Sequence, residues 1–386
     1  MMNKYVLTVL VVCVLVFALV GCNTQAPQTS PGTSAAPPTS AAPAESQAPA
    51  ESQAPAESGA TATKDLKLLS QNAVIEGNAY RVVYERNIQE AAAAAAEYGL
   101  NVSYTSSVSN WDAATESQQL EQAVNAGYDI ILVNPVAPTG LDPIIEKALA
   151  AGITYINCDC EYYSNKILNI ATDQYYLGYK AATYVGDVLG KGGKVVMINA
   201  IEGNAANEQR EAGFNKGIEE KGLDVVATGN HDWDTVKCQQ IMTEILNSGV
   251  KFDGVLVSQG AEAVIKAFQN TNTPWPKAIG FGDSGEYMQM MLEINKDSEV
   301  LPYIVISNPP GVGGSALNFG LNQILGYKLK EGVYDNPEYN SIYLKSKVWY
   351  TYENQEEYRE LAETTAPGDT ISYWLTIDEV RNEYFQ

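Results

Sequence analysis

Histidine is almost absent from this chain of 386 residues: His231 is the only one, which excludes any multi-histidine metal centre within one copy. Basic residues are scarce too. There are 24 Lys and Arg against 46 Asp and Glu, a formal net charge of −22. A surface so poor in cations cannot build the Lys/Arg footprint that phosphates require, so no nucleic-acid partner is expected. Enzyme motifs are missing as well. Gly190-Lys191-Gly192-Gly193-Lys194 lacks the spacing and the Ser/Thr of a phosphate loop. Gly311-Val312-Gly313-Gly314 lacks the last Gly of a nucleotide fingerprint at the required place, and a helix start accounts for it. A binding protein is expected, not an enzyme.

What is present begins with an export signal over 1–22. Lys4 opens it, and Val6–Val20 is an almost unbroken apolar run, short for a mature span. Its end, Leu19-Val20-Gly21-Cys22, resembles a bacterial lipobox, which implies a lipid on Cys22 and an extracytoplasmic chain anchored to the cell membrane. An ordinary signal peptide or anchor helix is the alternative. Asn23–Thr63 contains no aromatic residue and three copies of Ala-Pro-Ala-Glu-Ser, from Ala42, Ala48 and Ala54. Having nothing apolar to bury, the 23–64 segment reads as a disordered tether. Cys13 leaves with the leader and Cys22 carries lipid, so Cys158, Cys160 and Cys238 remain. An odd number excludes a fully paired set, and buried free thiols without metal or cofactor are expected.

From Asp65 onward the chain alternates between short β-rich runs and helical stretches. Leu66–Leu69, Val102–Thr105, Ile130–Val133 and Ile153–Ile156 are separated by helices over Ala79–Tyr98, Ala113–Ala126 and Thr139–Ala151. Gly99, Gly127 and Gly152 follow these helices as caps. The rhythm restarts with strands at Lys194–Ile198, Val225–Thr228, Gly254–Val257, Ala278–Phe281 and Tyr303–Ser307. Helices around Asn204–Lys221, Val236–Ser248, Glu262–Gln269 and Gly285–Ile294 lie between them. Such repeats predict an α/β fold of two doubly wound parallel-sheet lobes. Polar residues follow the strands, as at Asn134-Pro135, Asn157–Asp159 and Gly282-Asp283, which places ligand groups at the carboxyl edges.

Five segments then resemble a known family. They are Ile131–Pro135, Ala151-Gly152-Ile153, Ile170–Asp173, Arg210–Phe214 and Ile279–Asp283. Their order and spacing are similar to those of the type I periplasmic sugar-binding proteins of ABC transporters, the ribose-binding-like group, over about 66–345. The resemblance implies a hinged pair of lobes around an interlobe cleft, crossed near 171–173, 307–309 and 340–345. One lobe is then 65–171 plus 309–340, and the other 172–308 plus 341–386. The last stretch includes a C-terminal extension expected to pack through Trp349, Tyr350, Tyr352, Tyr373 and Trp374.

The resemblance also implies a site, residue by residue. Asn78 and Tyr80 match an amide and a ring in the first loop, with Arg81 in place of a second ring. Asp159-Cys160 matches an Asp-Arg pair that has lost its Arg. Arg210 is retained, and Trp233 in Asp232-Trp233-Asp234 is the stacking ring. Gln259 keeps an amide but Gly260 loses one. Asp283 comes one residue late, and Ser307 stands at a hinge amide position with Asn308 beside it. The physics fits a sugar, whose apolar faces suit the rings of Tyr80, Trp233 and Trp111. Its hydroxyl rim suits ions and amides, because charged hydrogen bonds are strong and an unmet hydroxyl is costly.

Plainer readings stand beside these: Asp159 as a helix cap, Arg210 paired with Glu208 and Glu211 on a solvated face, Trp233 as a core anchor, Asp173 as a hinge or cap, and His231 as a loop residue. The implied function is capture of a sugar and its delivery, by a monomeric receptor, to a permease and ATPase. A signalling or chemosensory receptor for a sugar-like ligand is the alternative, and a carbohydrate-active enzyme a more distant one. The departures at Arg81, Cys160, Gly260 and Ser307 leave the sugar unassigned.

Overall fold

The computed structural model describes residues 63–76, 78–296 and 300–386. The expected leader, the lipid site at Cys22 and the tether through residue 62 lie outside them. The first lobe runs β1 (Lys64–Asn72), α1 (Ala79–Ala94), β2 (Leu100–Val108), α2 (Ala113–Asn125), β3 (Ile130–Val133), α3 (Asp142–Ala150), β4 (Thr154–Cys158) and β5 (Leu168–Thr172). The second runs α4 (Gln174–Leu189), β6 (Lys194–Asn199), α5 (Ala205–Lys221), β7 (Asp224–Asn230), α6 (Thr235–Ser248), β8 (Gly254–Val257), α7 (Ala261–Thr271), β9 (Ala278–Gly282), α8 (Gly285–Ile294) and β10 (Tyr303–Ile306). Then come α9 (Val312–Ile324), β11 (Ser341–Leu344), β12 (Trp349–Thr351), α10 (Arg359–Thr364) and α11 (Ile377–Tyr384).

Both sheets have six strands and the same order, β2-β1-β3-β4-β5-β11 and β7-β6-β8-β9-β10-β12. All pairings are parallel except that of β12 with β10. The apolar runs are unbroken because both faces are covered. In the first sheet Leu66, Leu68, Ile130, Leu132 and Ile156 face α1 and α9, while Leu69, Ile131, Val133 and Tyr155 face α2 and α3. In the second, Val196, Ile198, Val255, Val257 and Ile279 share a core with α6, α7 and α8, and Val195, Met197, Leu256 and Ile304 share one with α4 and α5. Each fully buried Leu, Ile or Val contributes roughly 1.5–3 kcal/mol, so both lobes have ample cores.

Parallel pairing puts Asn72, Asn134, Asp159 and Asp173 at one edge of the first sheet, and Asn199, Ser258, Asp283 and Ser307 at the corresponding edge of the second. In a sheet of this order the reversal lies between β1 and β3, or β6 and β8, and ligands settle outside the strand ends there.

The C-terminal division differs from the sequence expectation, which gave 341–386 wholly to the second lobe. Ser341–Leu344 pairs with Asn169–Thr172 in the first sheet. Trp349–Thr351 then pairs with β10 in the second, where Tyr350, Ala362 and Ile371 join the core. Leu375, Ile377, Val380 and Phe385 return to the first lobe's core. The chain thus passes between lobes four times, after Thr172, Ile306, Leu344 and Ile371. Apolar demand explains the return: α9 offers an unfilled stripe, and α11 covers it with Ile377 and Val380. Among the described residues no helix is long and apolar enough to cross a membrane.

Candidate functional site

A cavity opens between the two carboxyl edges. Its larger part holds about 490 Å³ and its inner recess about 50 Å³. Both parts share Val74, Asn78, Tyr80, Trp111, Arg210, Trp233, Gln259 and Asn308. Arg81, Asn134, Asp159, Cys160, Gln174 and Asn204 line the recess alone, whereas Glu76, Glu262, Asp283 and Glu286 line only the larger part.

Asp159 and α1 form the inner end. Asp159 follows β4 with φ 72°, a left-handed conformation that aims its side chain back at α1 instead of capping a helix. Its carboxylate accepts from the Tyr80 hydroxyl at 2.8 Å and from the Arg81 guanidinium. Arg81 is 8 % exposed and Asp159 5 %, so this is a buried ion pair. Burial acts to lower the Arg81 guanidinium, but Asp159 and Tyr80 more than offset it and hold it above the ordinary arginine value. Burial, then Asp159, push the Tyr80 hydroxyl well up. Arg81 also lies over the Tyr80 and Tyr84 rings, 5.1 Å from each centroid, and its Nη1 has no hydrogen-bond partner among the described residues. Cys160 is buried, and burial followed by Asp159 pushes its thiol up to about 11. It is therefore a neutral wall residue.

Arg210 enters from the second lobe on α5. Helices α4 and α5 touch backbone to backbone there: a Cβ at Gly178 would lie 2.0 Å from the Arg210 carbonyl oxygen, and one at Gly213 would lie 2.2 Å from that of Tyr175. Those two glycines let α5 sink until Arg210 is 2 % exposed. Its guanidinium donates to Gln174 Oε1, from Nε at 3.1 Å, and to the Ser258 carbonyl. The solvated pairing with Glu208 and Glu211 does not occur among the ion pairs of the described residues. Burial pulls Arg210 down to about 10, against the nearby Asp283 charge, so it stays protonated at neutral pH.

The rings come from matching turns. Asn110 and Trp111 have φ of 52° and 61°, and Asp232 and Trp233 have 54° and 61°. Left-handed conformations cost such residues on the order of 1 kcal/mol each, and strain of this kind collects where a side chain must be aimed. Asp112 then caps α2 through the Thr115 N–H, and Asp234 caps α6 through those of Val236 and Lys237. Each lobe thereby offers one tryptophan to the cavity from the same place in its fold. Trp233 stacks edge-on with His231 at 6.0 Å and lies 5.6 Å from the Arg210 guanidinium. His231 does sit in a loop, yet it is fully buried, and burial followed by Arg210 pulls its imidazole down to about 4.

Asn78 lines the cavity and also caps α1, its Oδ1 accepting from the Arg81 N–H at 3.0 Å. Gln259 lies on the wall beside Gly260. Asp283 accepts from the Asn308 N–H at 2.7 Å, and Asn308 Oδ1 accepts from Gln174 at 3.0 Å. Burial pushes Asp283 up to about 7 against that N–H and the Arg210 charge. Ser307 is not on the wall, because the C-terminal segment covers it; its hydroxyl donates to the Ile371 carbonyl at 3.0 Å. Asp173 caps α4 through the Tyr176 N–H at 2.8 Å. Cys158, Cys160 and Cys238 are free and buried.

The family model described as periplasmic binding protein domain matches residues 75–328, well over half of the chain. The chain belongs to that family. A relative, the ribose import binding protein of Bacillus subtilis (strain 168), is 26 % identical over 175 residues, which cover 45 % of this chain and 57 % of that protein. The chain thus spans little more than half the length of that curated relative. The fold is that of an ABC transporter solute binding protein from Thermobispora bispora (TM-score 0.68, 20 % identity, 82 % of this chain and 94 % of that one). It is also that of a periplasmic solute binding protein from Actinobacillus succinogenes with bound D-allose (TM-score 0.64, 18 % identity, 76 % and 100 %).

Several wall residues were not readable in advance. Gln174 and Asn204 join the recess because helix ends converge there, beside Asn134, which the sequence did mark as a polar strand end. Glu85, behind it, is 5 % exposed and accepts from Ser70 at 2.6 Å and from Asn72 and Tyr104. The repeat Asn110-Trp111-Asp112 and Asp232-Trp233-Asp234 was the one available signal for paired rings. Pro367, Gly368 and Thr370, beyond the family match, also lie on the wall.

Proposed function

We propose that this protein captures an extracytoplasmic sugar, or a sugar-like polyol, between its two lobes and presents it to an ABC importer. The observation that carries this reading is the paired tryptophans on a cleft whose inner end is ionised and amide-rich. Trp111 and Trp233 suit the C–H faces of a ring. Arg81, Asp159, Arg210, Asn78, Gln259, Asp283 and Asn308 suit its hydroxyl rim, and charged partners give the stronger bonds. Cys160 and the Tyr80 ring complete the inner wall.

Lobes joined by a few connections close by hinge motion, and a ligand touching both lobes favours the closed population. Membership of the periplasmic binding family supports an extracytoplasmic setting and a permease with its ATPase as the reader of the closed form. Relatives named as binding proteins support binding without catalysis. Anchoring by a lipid on Cys22 belongs to the same reading, with labelled fatty acid incorporated by wild type and lost in Cys22→Ala. A thermal-shift screen over pentoses, hexoses, polyols and nucleosides tests the central point: at least one sugar or polyol raises the melting midpoint, and stabilisation by none of them would sink it.

A further inference from the structure

The C-terminal segment reaches the cavity by a route that fixes it there. After α10, residues 366–371 lie along the loop between β9 and α8, which carries Asp283. Gly285 N donates to the Asp369 carbonyl at 2.9 Å, Glu286 N to that of Pro367 at 3.2 Å, and Ile371 N to that of Asp283 at 3.1 Å. The first two are N–H groups at the start of α8, which no carbonyl of that helix can satisfy. A Cβ at Gly285 would lie 2.2 Å from the Ala366 carbonyl oxygen, so the turn is seated against bare backbone. The far side is tied to the first lobe. Asp369 pairs with Arg86 at 3.0 Å, Leu375 N donates to the Ser315 hydroxyl at 3.0 Å, and Asn318 donates to the Leu375 carbonyl at 2.7 Å.

Pro367, Gly368 and Thr370 line the larger part of the cavity, beside Glu262, Asp283 and Glu286, and none of them reaches the recess. The volume of about 490 Å³ outside the recess falls in the range of pockets that enclose drug-sized ligands, more than one sugar ring needs.

We propose that the Pro367–Thr370 turn is the outer wall of the ligand site, and that it selects a glycoside or short oligosaccharide whose second group rests against it. This deepens the sugar-capture reading and rests on it. One ring occupies the space between the tryptophans and the Arg81–Asp159 pair, and the hydroxylated arm extends to the Pro367–Thr370 turn and the carboxylates beside it.

Gly368 supplies the test. A Cβ there meets nothing within 4 Å, and its φ lies outside the left-handed region, so Gly368→Leu adds bulk to open space without strain. Calorimetric titrations of the wild-type chain compare monosaccharides with their alkyl glycosides and disaccharides. The expected result is tighter binding of the longer ligands, weakened about tenfold by Gly368→Leu. The loss for the longer ligands exceeds any loss for the parent monosaccharide, and an unliganded melting midpoint close to that of wild type shows that the variant folds. Gly368→Ala, which adds less bulk at the same place, weakens the longer ligands less than Gly368→Leu. Wild-type preference for single rings, or longer ligands indifferent to Gly368→Leu, overturns the outer wall alone. Failure of every sugar to bind wild type overturns the sugar reading itself, and the outer wall falls with it.

Discussion

Trp111 and Trp233 occupy equivalent places in the two lobes, each on a left-handed turn one residue before an aspartate that caps the next helix. Trp111 is 42 % exposed although it lines the cavity, so its ring is held out to the cleft and not folded into its own lobe. Two lobes that each extend one ring toward a shared space form a clamp, and a flat apolar face is what such a clamp fits.

Removing either ring tests this. Trp111→Ala and Trp233→Ala should each weaken sugar binding by about 1 kcal/mol or more, as expected for lost aromatic contact. Calorimetry of each variant with the best ligand checks it. Unchanged affinity in both would remove the clamp.

The Arg81–Asp159 pair should matter to stability as well as to binding. Arg81→Met leaves a buried carboxylate with only the Tyr80 hydroxyl and the weakly donating Cys160 thiol, and breaking a buried pair from one side costs on the order of 3 kcal/mol. Removing both charges in Arg81→Met/Asp159→Leu should cost less than the single change, while abolishing binding. Denaturant unfolding of the three proteins measures this. A double variant less stable than Arg81→Met would contradict it.

These two features differ in how far the sequence revealed them. The β-α rhythm was legible because Ile130–Val133 and Gly254–Val257 are buried on both faces and read as apolar runs. Strands β11 and β12 were not, since neither Ser341–Leu344 nor Trp349–Thr351 is an unbroken apolar run, and their places depend on which sheet edge is free. Arg210 could be named, yet its burial could not, because that follows from α4 and α5 meeting at Gly178 and Gly213, distant in sequence. The Arg81–Asp159 pair joins residues on different elements, and the wall made by Pro367, Gly368 and Thr370 depends on the last interlobe crossing. Local pattern carries neither.

Asp283 should make binding pH-dependent. Burial raises its carboxyl to about 7, so below that pH it becomes protonated and loses its strength as an acceptor for a ligand hydroxyl. Affinity should therefore fall as pH drops from 8 toward 6, and Asp283→Asn should flatten the profile. A wild-type affinity constant across this range would contradict the role.

Glu116 gives a separate stability signal. It is buried below the first sheet, where burial raises its carboxyl from 4.5 to about 7 against the Val136 N–H. The folded protein holds this proton where the unfolded chain has lost it. Its contribution is thus complete below about pH 4.5 and declines as pH rises through about 7. Glu116→Gln, neutral throughout and still able to accept from Val136, should lose that decline. Melting midpoints across the window check it, and parallel curves for the two proteins would refute it.

The most direct measurement is a crystal structure with the tightest-binding sugar from the screen. The account predicts a ring between Trp111 and Trp233, with its oxygens within hydrogen-bonding distance of the Asp159 and Arg210 side chains. A sugar seated elsewhere on the surface, or held by one lobe without contact to the other, would contradict it.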